Sequence, residues 1–125
     1  MADEYKAAKP IYAQIADKII HSIVRGELSP GEKLPSVREM AVRSGVNPNT
    51  IQRTYSELER MEVVETKRGQ GTFVTEKEEL FLEMKNKVQR EIMNNFVDSM
   101  RELGISREKM LADLTSYLKG EGGKE

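Results

Sequence analysis

Residues 36–54 read SVREMAVRSGVNPNTIQRT, a stretch that encodes two helices joined by a tight turn. Ser36-Val37-Arg38-Glu39 has the S-x-x-E pattern of a capping box, in which the serine and glutamate side chains each satisfy a backbone N–H that the first helical turn leaves orphaned. A short helix therefore begins here. Gly45 ends it after about two and a half turns, because glycine enters the left-handed C-cap conformation without steric cost. Asn47-Pro48 restarts a helix at once, with the asparagine as N-cap and the proline at the first helical position. Ile51, Tyr55, Leu58 and Met61 recur at helical spacing and mark the inner face of this second helix. Ala41, Gly45 and Ile51 hold the packing and turn positions of a helix-turn-helix: a small residue for close approach, a glycine for the turn and an aliphatic lock. An ordinary helical hairpin carries the same three markers, so the flanking elements and the surface chemistry must decide between them.

On the N-terminal side, Ile11, Ile15, Ile19, Ile20 and Ile23 follow Pro10 at helical spacing as far as Gly26, giving a first helix with a buried stripe. Leu28-Ser29-Pro30-Gly31 and Leu34-Pro35 then mark turns. On the C-terminal side, residues 63–67 (VVETK) and 72–75 (TFVT) have strand composition, and Arg68-Gly69-Gln70-Gly71 supplies the glycines of a hairpin turn. Thr75-Glu76-Lys77-Glu78 repeats the capping-box pattern. It opens a run of Phe81, Met84, Val88, Ile92, Phe96, Met100 and Leu103 at three- and four-residue steps, which predicts one helix of about 28 residues, on the order of 40 Å long. Gly104 closes it. Ser106 caps a last helix whose apolar face carries Met110, Leu111, Leu114, Tyr117 and Leu118. The expected architecture is α+β: a winged helix-turn-helix over residues 9–75, a two-helix arm over 76–119 and a disordered tail over 120–125.

The polar residues at the start of the second helix of the pair give this fold its chemistry. Asn47, Asn49, Thr50, Gln52 and Arg53 fall within two turns, and amides and guanidinium groups match the donor and acceptor patterns of base edges. Asn47 is also explained as a cap. Arg38 lies in the first turn of the preceding helix, where a cation opposes the macrodipole and gains nothing locally; a phosphate or base explains it, or else an ion pair with Glu39 or Glu32. Lys67, Arg68, Gly69, Gln70 and Gly71 at the ribbon tip combine cations with glycines, so that backbone can approach a phosphodiester while the cations neutralise it. A charged tip also keeps a strand edge soluble. Phe81, Met84, Val88, Ile92, Phe96, Met100 and Leu103, with Leu111, Leu114 and Leu118, form more apolar surface than a lone helical hairpin covers. A second copy of the chain is the economical partner, with packing back on the N-terminal domain as the alternative.

Composition sets the outer bounds. The 125 residues carry a formal net charge of -1, so nucleic-acid binding must rest on local rather than total charge. No cysteine and one histidine, His21, leave no thiolate site and no histidine cluster, so neither a metal nor a cofactor is expected. No apolar run approaches the ~18 residues of a membrane span, and the start lacks a basic and then apolar leader; a cytoplasmic protein with no membrane partner is the expectation. Glu57 with Glu59 and Glu78 with Glu79 are the nearest approach to paired carboxylates. Capping and a solvated helix face account for them, and no Ser-His-Asp or phosphate-loop pattern appears, so no enzyme is expected.

The segments Pro10-Ile11-Tyr12-x-Gln14-Ile15, Gly26-x-Leu28-x-Pro30-Gly31-x-x-Leu34-Pro35-Ser36-x-Arg38 and Val46-Asn47-Pro48-Asn49-Thr50 together resemble the GntR family of bacterial regulators, over roughly residues 9 to 76. The short two-helix C-terminal part resembles the YtrA-like subgroup, whose members dimerise through it and lack a large effector domain. The resemblance implies DNA contact by Ser36, Arg38, the start of the recognition helix and the glycine-rich wing tip. Many relatives have arginine where Pro48 and Gln52 stand here, so their base preference does not transfer. The expected function is sequence-specific transcription regulation, as a repressor of its own or a transporter operon, by a homodimer on a pseudo-palindromic double-stranded operator. The alternative is a winged-helix module that binds only protein. No pocket signature is legible, and an unknown small-molecule effector is placed, if anywhere, between the arm and the DNA-binding domain.

Overall fold

The computed structural model describes residues 9–120. The chain splits into two compact units, Met1–Lys85 and Asn86–Glu125. In the first, α1 (Ile11–Val24) and α2 (Val37–Ser44) both pack on α3 (Pro48–Arg60), and β1 (Val64–Lys67) pairs antiparallel with β2 (Gly71–Val74). Five residues at the centre are almost wholly removed from solvent: Ile23, Leu34, Ile51, Leu58 and Val74, none more than 2% exposed. They come from α1, the segment before α2, α3 and β2, and the buried Ala41 of α2 and Val64 of β1 join the core of the first unit. Truncating Ile51 or Leu58 to alanine would cost about 2–5 kcal/mol, the range for large-to-small changes in a packed core.

The hairpin register pairs Val64 with Val74 and Lys67 with Gly71, and the Gln70 N–H closes the turn on the Lys67 carbonyl at 2.8 Å. A third strip of backbone, unforeseen in the sequence, lies along the other edge of β2. Lys33 bridges Phe73, the Leu34 N–H donates to the Thr72 carbonyl at 2.8 Å, and the Val74 N–H donates to the Glu32 carbonyl at 2.8 Å. Residues 31–34 thus close the ribbon's free edge, which would otherwise present unpaired backbone groups. Backbone conformation favours glycine at Gly71, whose φ is +126°; an added Cβ would also come within 2.7 Å of Lys33 Cε and displace the flexible end of that side chain.

Pro10 stands just outside α1 as its N-cap residue rather than within the first turn. The second capping box expected from the sequence does not form. The Thr75 hydroxyl accepts from the Lys77 N–H at 3.2 Å, not from Glu78, and α4 (Glu78–Glu102) begins only at Glu78. Thr75, just past β2, is buried and tied back to the ribbon by its N–H, which donates to the Val63 carbonyl at 3.0 Å. The helix accordingly has 25 residues instead of about 28. The first compact unit extends past the boundary read near residue 75 and takes in the first turns of α4, where Met84 is only 7% exposed.

The second unit holds the rest of α4 and α5 (Arg107–Gly120). Gly104, with φ +76°, ends α4 as expected, with the Ile105 N–H on the Met100 carbonyl at 3.1 Å and the Gly104 N–H on that of Arg101 at 2.9 Å, a Schellman closure. Ser106 caps α5 through the Lys109 N–H at 3.2 Å. Gly120 belongs to α5, and the rest of the tail read as disordered lies outside the described residues.

The end of α3 uses the same closure with the wrong residue. The Val63 N–H donates to the Leu58 carbonyl and the Glu62 N–H to that of Glu59, yet Glu62 is no glycine and stands at φ 65°. A Cβ in this left-handed region costs roughly 1–2 kcal/mol, partly offset in any glycine variant by the greater freedom of the unfolded chain. Glu62→Gly should therefore raise stability by about 0.5–1 kcal/mol, read as a higher urea midpoint at unchanged m-value; an unchanged or lower midpoint would refute the strain.

Candidate nucleic-acid interface

Two helix N-termini and one ribbon tip carry the expected polar residues. At α2 the capping box is complete: the Ser36 hydroxyl accepts from the Glu39 N–H at 3.1 Å, and Glu39 Oε1 accepts from the Ser36 N–H at 3.0 Å. Those backbone and side-chain bonds, assisted by Arg43 and Lys33, hold the Glu39 carboxyl below its ordinary pKa. Arg38, in the same turn, is exposed and makes no ion pair among the described residues. Both carboxylates considered for it are engaged elsewhere, Glu39 on Ser36 and Glu32 on the Ser29 N–H at 2.8 Å. An exposed guanidinium at the positive end of a helix, with its neighbouring acids occupied, is available to an anion.

Between α2 and α3 the turn is a Schellman closure: Gly45 has φ +68°, and the Val46 N–H reaches the Ala41 carbonyl at 3.1 Å. Asn47 then caps α3, its Oδ1 accepting from the Asn49 N–H at 2.7 Å, with Pro48 at the first helical position. Asn47 is thereby committed to the backbone. The side chains of Asn49 and Gln52 are exposed and make no hydrogen bond among the described residues, and Thr50 is half-buried. Arg53 is exposed too, with its Cζ 4.0 Å from the centre of the Tyr12 ring.

At the ribbon, Lys67, Arg68, Gly69 and Gln70 are all exposed, and Gly69 takes φ +76° in the turn. Lys67 Nζ lies 4.9 Å from the centre of the Phe73 ring, a cation–π contact that steers the side chain back along the ribbon. Lys33 adds a cation that sequence reading left out of the site: its stem passes over Gly71, which puts it beside the wing. The spacing of residues gives no warning of this, because the bridge to Phe73 joins positions forty residues apart.

What fixes the α2 terminus relative to α3 is a residue the sequence marked only as core. The Tyr55 hydroxyl donates to the Pro35 carbonyl at 2.7 Å, and burial pushes its pKa up to about 12, so it remains a donor. Thr54 was missed altogether. Fully buried, its hydroxyl lies 3.1 Å from the Tyr12 carbonyl and 2.9 Å from that of Thr50, which ties α1 to α3. Its spacing, three residues after Ile51 and four before Leu58, puts Thr54 on the inner face of α3, and only its polar type keeps it out of the apolar stripe.

Residues 11–74 match the description "Bacterial regulatory proteins, gntR family". The chain belongs to the GntR family. It is 55% identical over 120 residues to the HTH-type transcriptional regulator YhcF of Bacillus subtilis, an alignment spanning 96% of this chain and 99% of YhcF. It is 34% identical to the HTH-type transcriptional repressor YtrA of the same organism, over 92% of each chain. Its fold superposes on a GntR family transcriptional regulator from Listeria monocytogenes with a TM-score of 0.81 at 41% identity, over 90% of this chain and 98% of that one. The winged helix followed by a short helical region is therefore the architecture of a DNA-binding transcription regulator of this family, and the YtrA-like likeness extends through the C-terminal helices. Among the described residues, no group of three His, Cys, Asp or Glu side chains is placed to hold a metal, and no helix is long and apolar enough to cross a membrane.

The Glu39 cap has a pH signature. A carboxyl whose folded pKa lies below its ordinary 4.5 contributes stability that is fully present above that pH and is lost as pH falls through the folded value. Glu39→Gln keeps a capping side chain but no charge. The variant should be less stable than wild type at neutral pH, and the two urea midpoints should converge below pH 4.5. A gap that persists into acid would show that the charge is not what the cap uses.

Proposed function

We propose that the chain binds a pseudo-palindromic DNA operator as a homodimer and represses its own or a transporter operon by occupying the promoter, without catalysis. The observation that carries the reading is Arg38: a guanidinium with no ion-pair partner among the described residues, at the start of α2, on a terminus anchored to α3 and to the ribbon. Ser36, Asn49, Thr50, Gln52 and Arg53 supply the remaining contacts of the helix pair, and Arg68, Gly69, Gln70 and Gly71, with Lys67, meet the backbone from the wing. Amides of Asn49 and Gln52 can each pair with an adenine edge, and Arg38 with guanine or phosphate. Identity to YtrA, named a repressor, supports repression.

A fluorescence-anisotropy titration against the DNA upstream of its own gene and a scrambled duplex tests this, at two salt concentrations. The native fragment should bind tighter, with log K falling by about 0.9 per neutralised phosphate for each unit of log salt. Arg38→Ala should weaken it by about 1–3 kcal/mol, roughly five- to 150-fold. Equal, weak binding to both duplexes with no effect of Arg38→Ala would favour a module that binds only protein.

The homodimer rests on the second unit. Ile92 and Phe96 of α4, Leu103 in the turn after it, and Leu111, Leu114 and Leu118 of α5 are exposed although apolar, with Val88 and Met100 half-buried. So many exposed apolar side chains are unusual on a monomer, and a second copy would cover them. Met84 is buried within its own chain, and Phe81 lies half-buried beside it in sequence, so these two contribute less than the six exposed residues. Two recognition helices related by a two-fold axis would read half-sites about 34 Å apart or a multiple of it. Sedimentation should show a dimer, and Phe96→Glu with Leu114→Glu should yield folded monomers with strongly reduced operator affinity; a wild-type monomer both free and on DNA would refute the dimer.

A further inference from the structure

Arg53 has a carboxylate one turn ahead on its own helix, and its usual partner there would be Glu57. That partner is taken. Glu57 is paired with Arg60, whose Nε lies 3.2 Å from Glu57 Oε1 and whose terminal nitrogen also contacts the carboxylate, and these bonds hold the Glu57 carboxyl below its ordinary pKa. Arg53 instead places its guanidinium carbon 4.0 Å from the centre of the Tyr12 ring. The backbone that carries the ring is anchored: Tyr12 lies in the first turn of α1, half-buried, and its carbonyl lies 3.1 Å from the buried Thr54 hydroxyl, next to Arg53 in sequence.

We propose that Tyr12 is a positioning residue of the DNA interface, which holds Arg53 by its face so that its N–H edge is presented to a backbone phosphate. The proposal rests on the reading of this surface as DNA-binding. A guanidinium can satisfy both partners at once, because stacking uses its π face whereas a phosphate takes two in-plane N–H groups. An ammonium has no such division of faces. Fixing a long side chain before DNA arrives also removes part of the ordering cost that binding would otherwise carry. The first turn of α1 thereby becomes part of the interface, although its residues are spaced as a core helix.

The test uses the full chain and a random-sequence duplex, since a phosphate contact contributes whatever the bases. Anisotropy titrations between about 50 and 200 mM salt give the slope of log K on log salt. Arg53→Gln should lower the slope by about 0.9. Tyr12→Leu should lower it by at least half as much, Arg53→Lys likewise, and the double variant Tyr12→Leu/Arg53→Gln should lose no more than Arg53→Gln alone. Tyr12→Phe keeps the ring and should bind as wild type. Unfolding midpoints identify any variant that fails to fold, and Tyr12→Phe and Arg53→Lys carry the test if Tyr12→Leu does. A wild-type slope retained in Tyr12→Leu and Arg53→Lys overturns the positioning role alone. A loss in Tyr12→Phe equal to that in Tyr12→Leu also overturns it, because the hydroxyl would then be the contact. A wild-type slope near zero overturns the DNA reading and this assignment with it.

Discussion

The segment from Gly31 to Pro35 is the constraint on which the rest of the N-terminal unit depends. It runs as an edge strip against β2, buries Leu34 in the common core and offers the Pro35 carbonyl to the Tyr55 hydroxyl. One short piece of chain is thus bonded to the ribbon on one side and to α3 on the other, and α2 begins at its end. Net, each such hydrogen bond contributes only about 0.5–1.5 kcal/mol. Their geometric effect is larger than their energy, because the direction of Ser36 and Arg38 relative to α3 is set by bonds rather than by loop preference.

The same economy governs the helix ends. The closures after α1, α2, α3 and α4 all pair a six-to-one bond with a five-to-two bond, so each helix leaves in a defined direction. Gly26, Gly45 and Gly104 accept the left-handed conformation at three of them, and Glu62 takes it at the fourth. Directly after Glu62, Val63 and Val64 go into the core, so the turn cannot relax without withdrawing two buried side chains. Strain at one residue is held in place by burial at the next two.

Local chemistry is what the sequence states most clearly. The capping box at Ser36 and Glu39, the Asn47-Pro48 start, the Gly45 turn and the glycine-flanked hairpin are each determined by neighbours within a few residues, and all four are present. What escaped reading depends on distant partners. The Lys33 bridge to Phe73, the Tyr55 bond to Pro35 and the burial of Thr54 against Tyr12 arise only once the elements are assembled. Thr75 shows the two kinds of information in conflict: its local pattern asks for a helix cap, and the long-range bond to Val63 ties it back to the ribbon. The family resemblance reached the overall architecture because it sums many local signals in a fixed order. It gave no account of which arginine is held and by what.

A chain of net charge -1 can still leave individual cations without a direct acid partner, and the engagements of its acids explain how. Glu32 is consumed by the Ser29 N–H, Glu39 by the Ser36 N–H and Glu57 by Arg60. These are short-range contacts that draw each carboxylate in toward backbone or a neighbouring side chain. Arg38 has no ion-pair partner among the described residues, Arg53 rests on an aromatic ring, and Lys67 on another. Aromatic contacts steady a cation without neutralising it, whereas a carboxylate would do both. Screening leaves only about 8–10 Å over which exposed charges are felt at physiological salt, so an approaching polyanion responds to the local charges, the ionised Glu32 and Glu39 included, and not to the total. Partner choice within the protein, rather than an excess of basic residues, is what leaves Arg38 without a direct ion pair among the described residues and Arg53 on a ring.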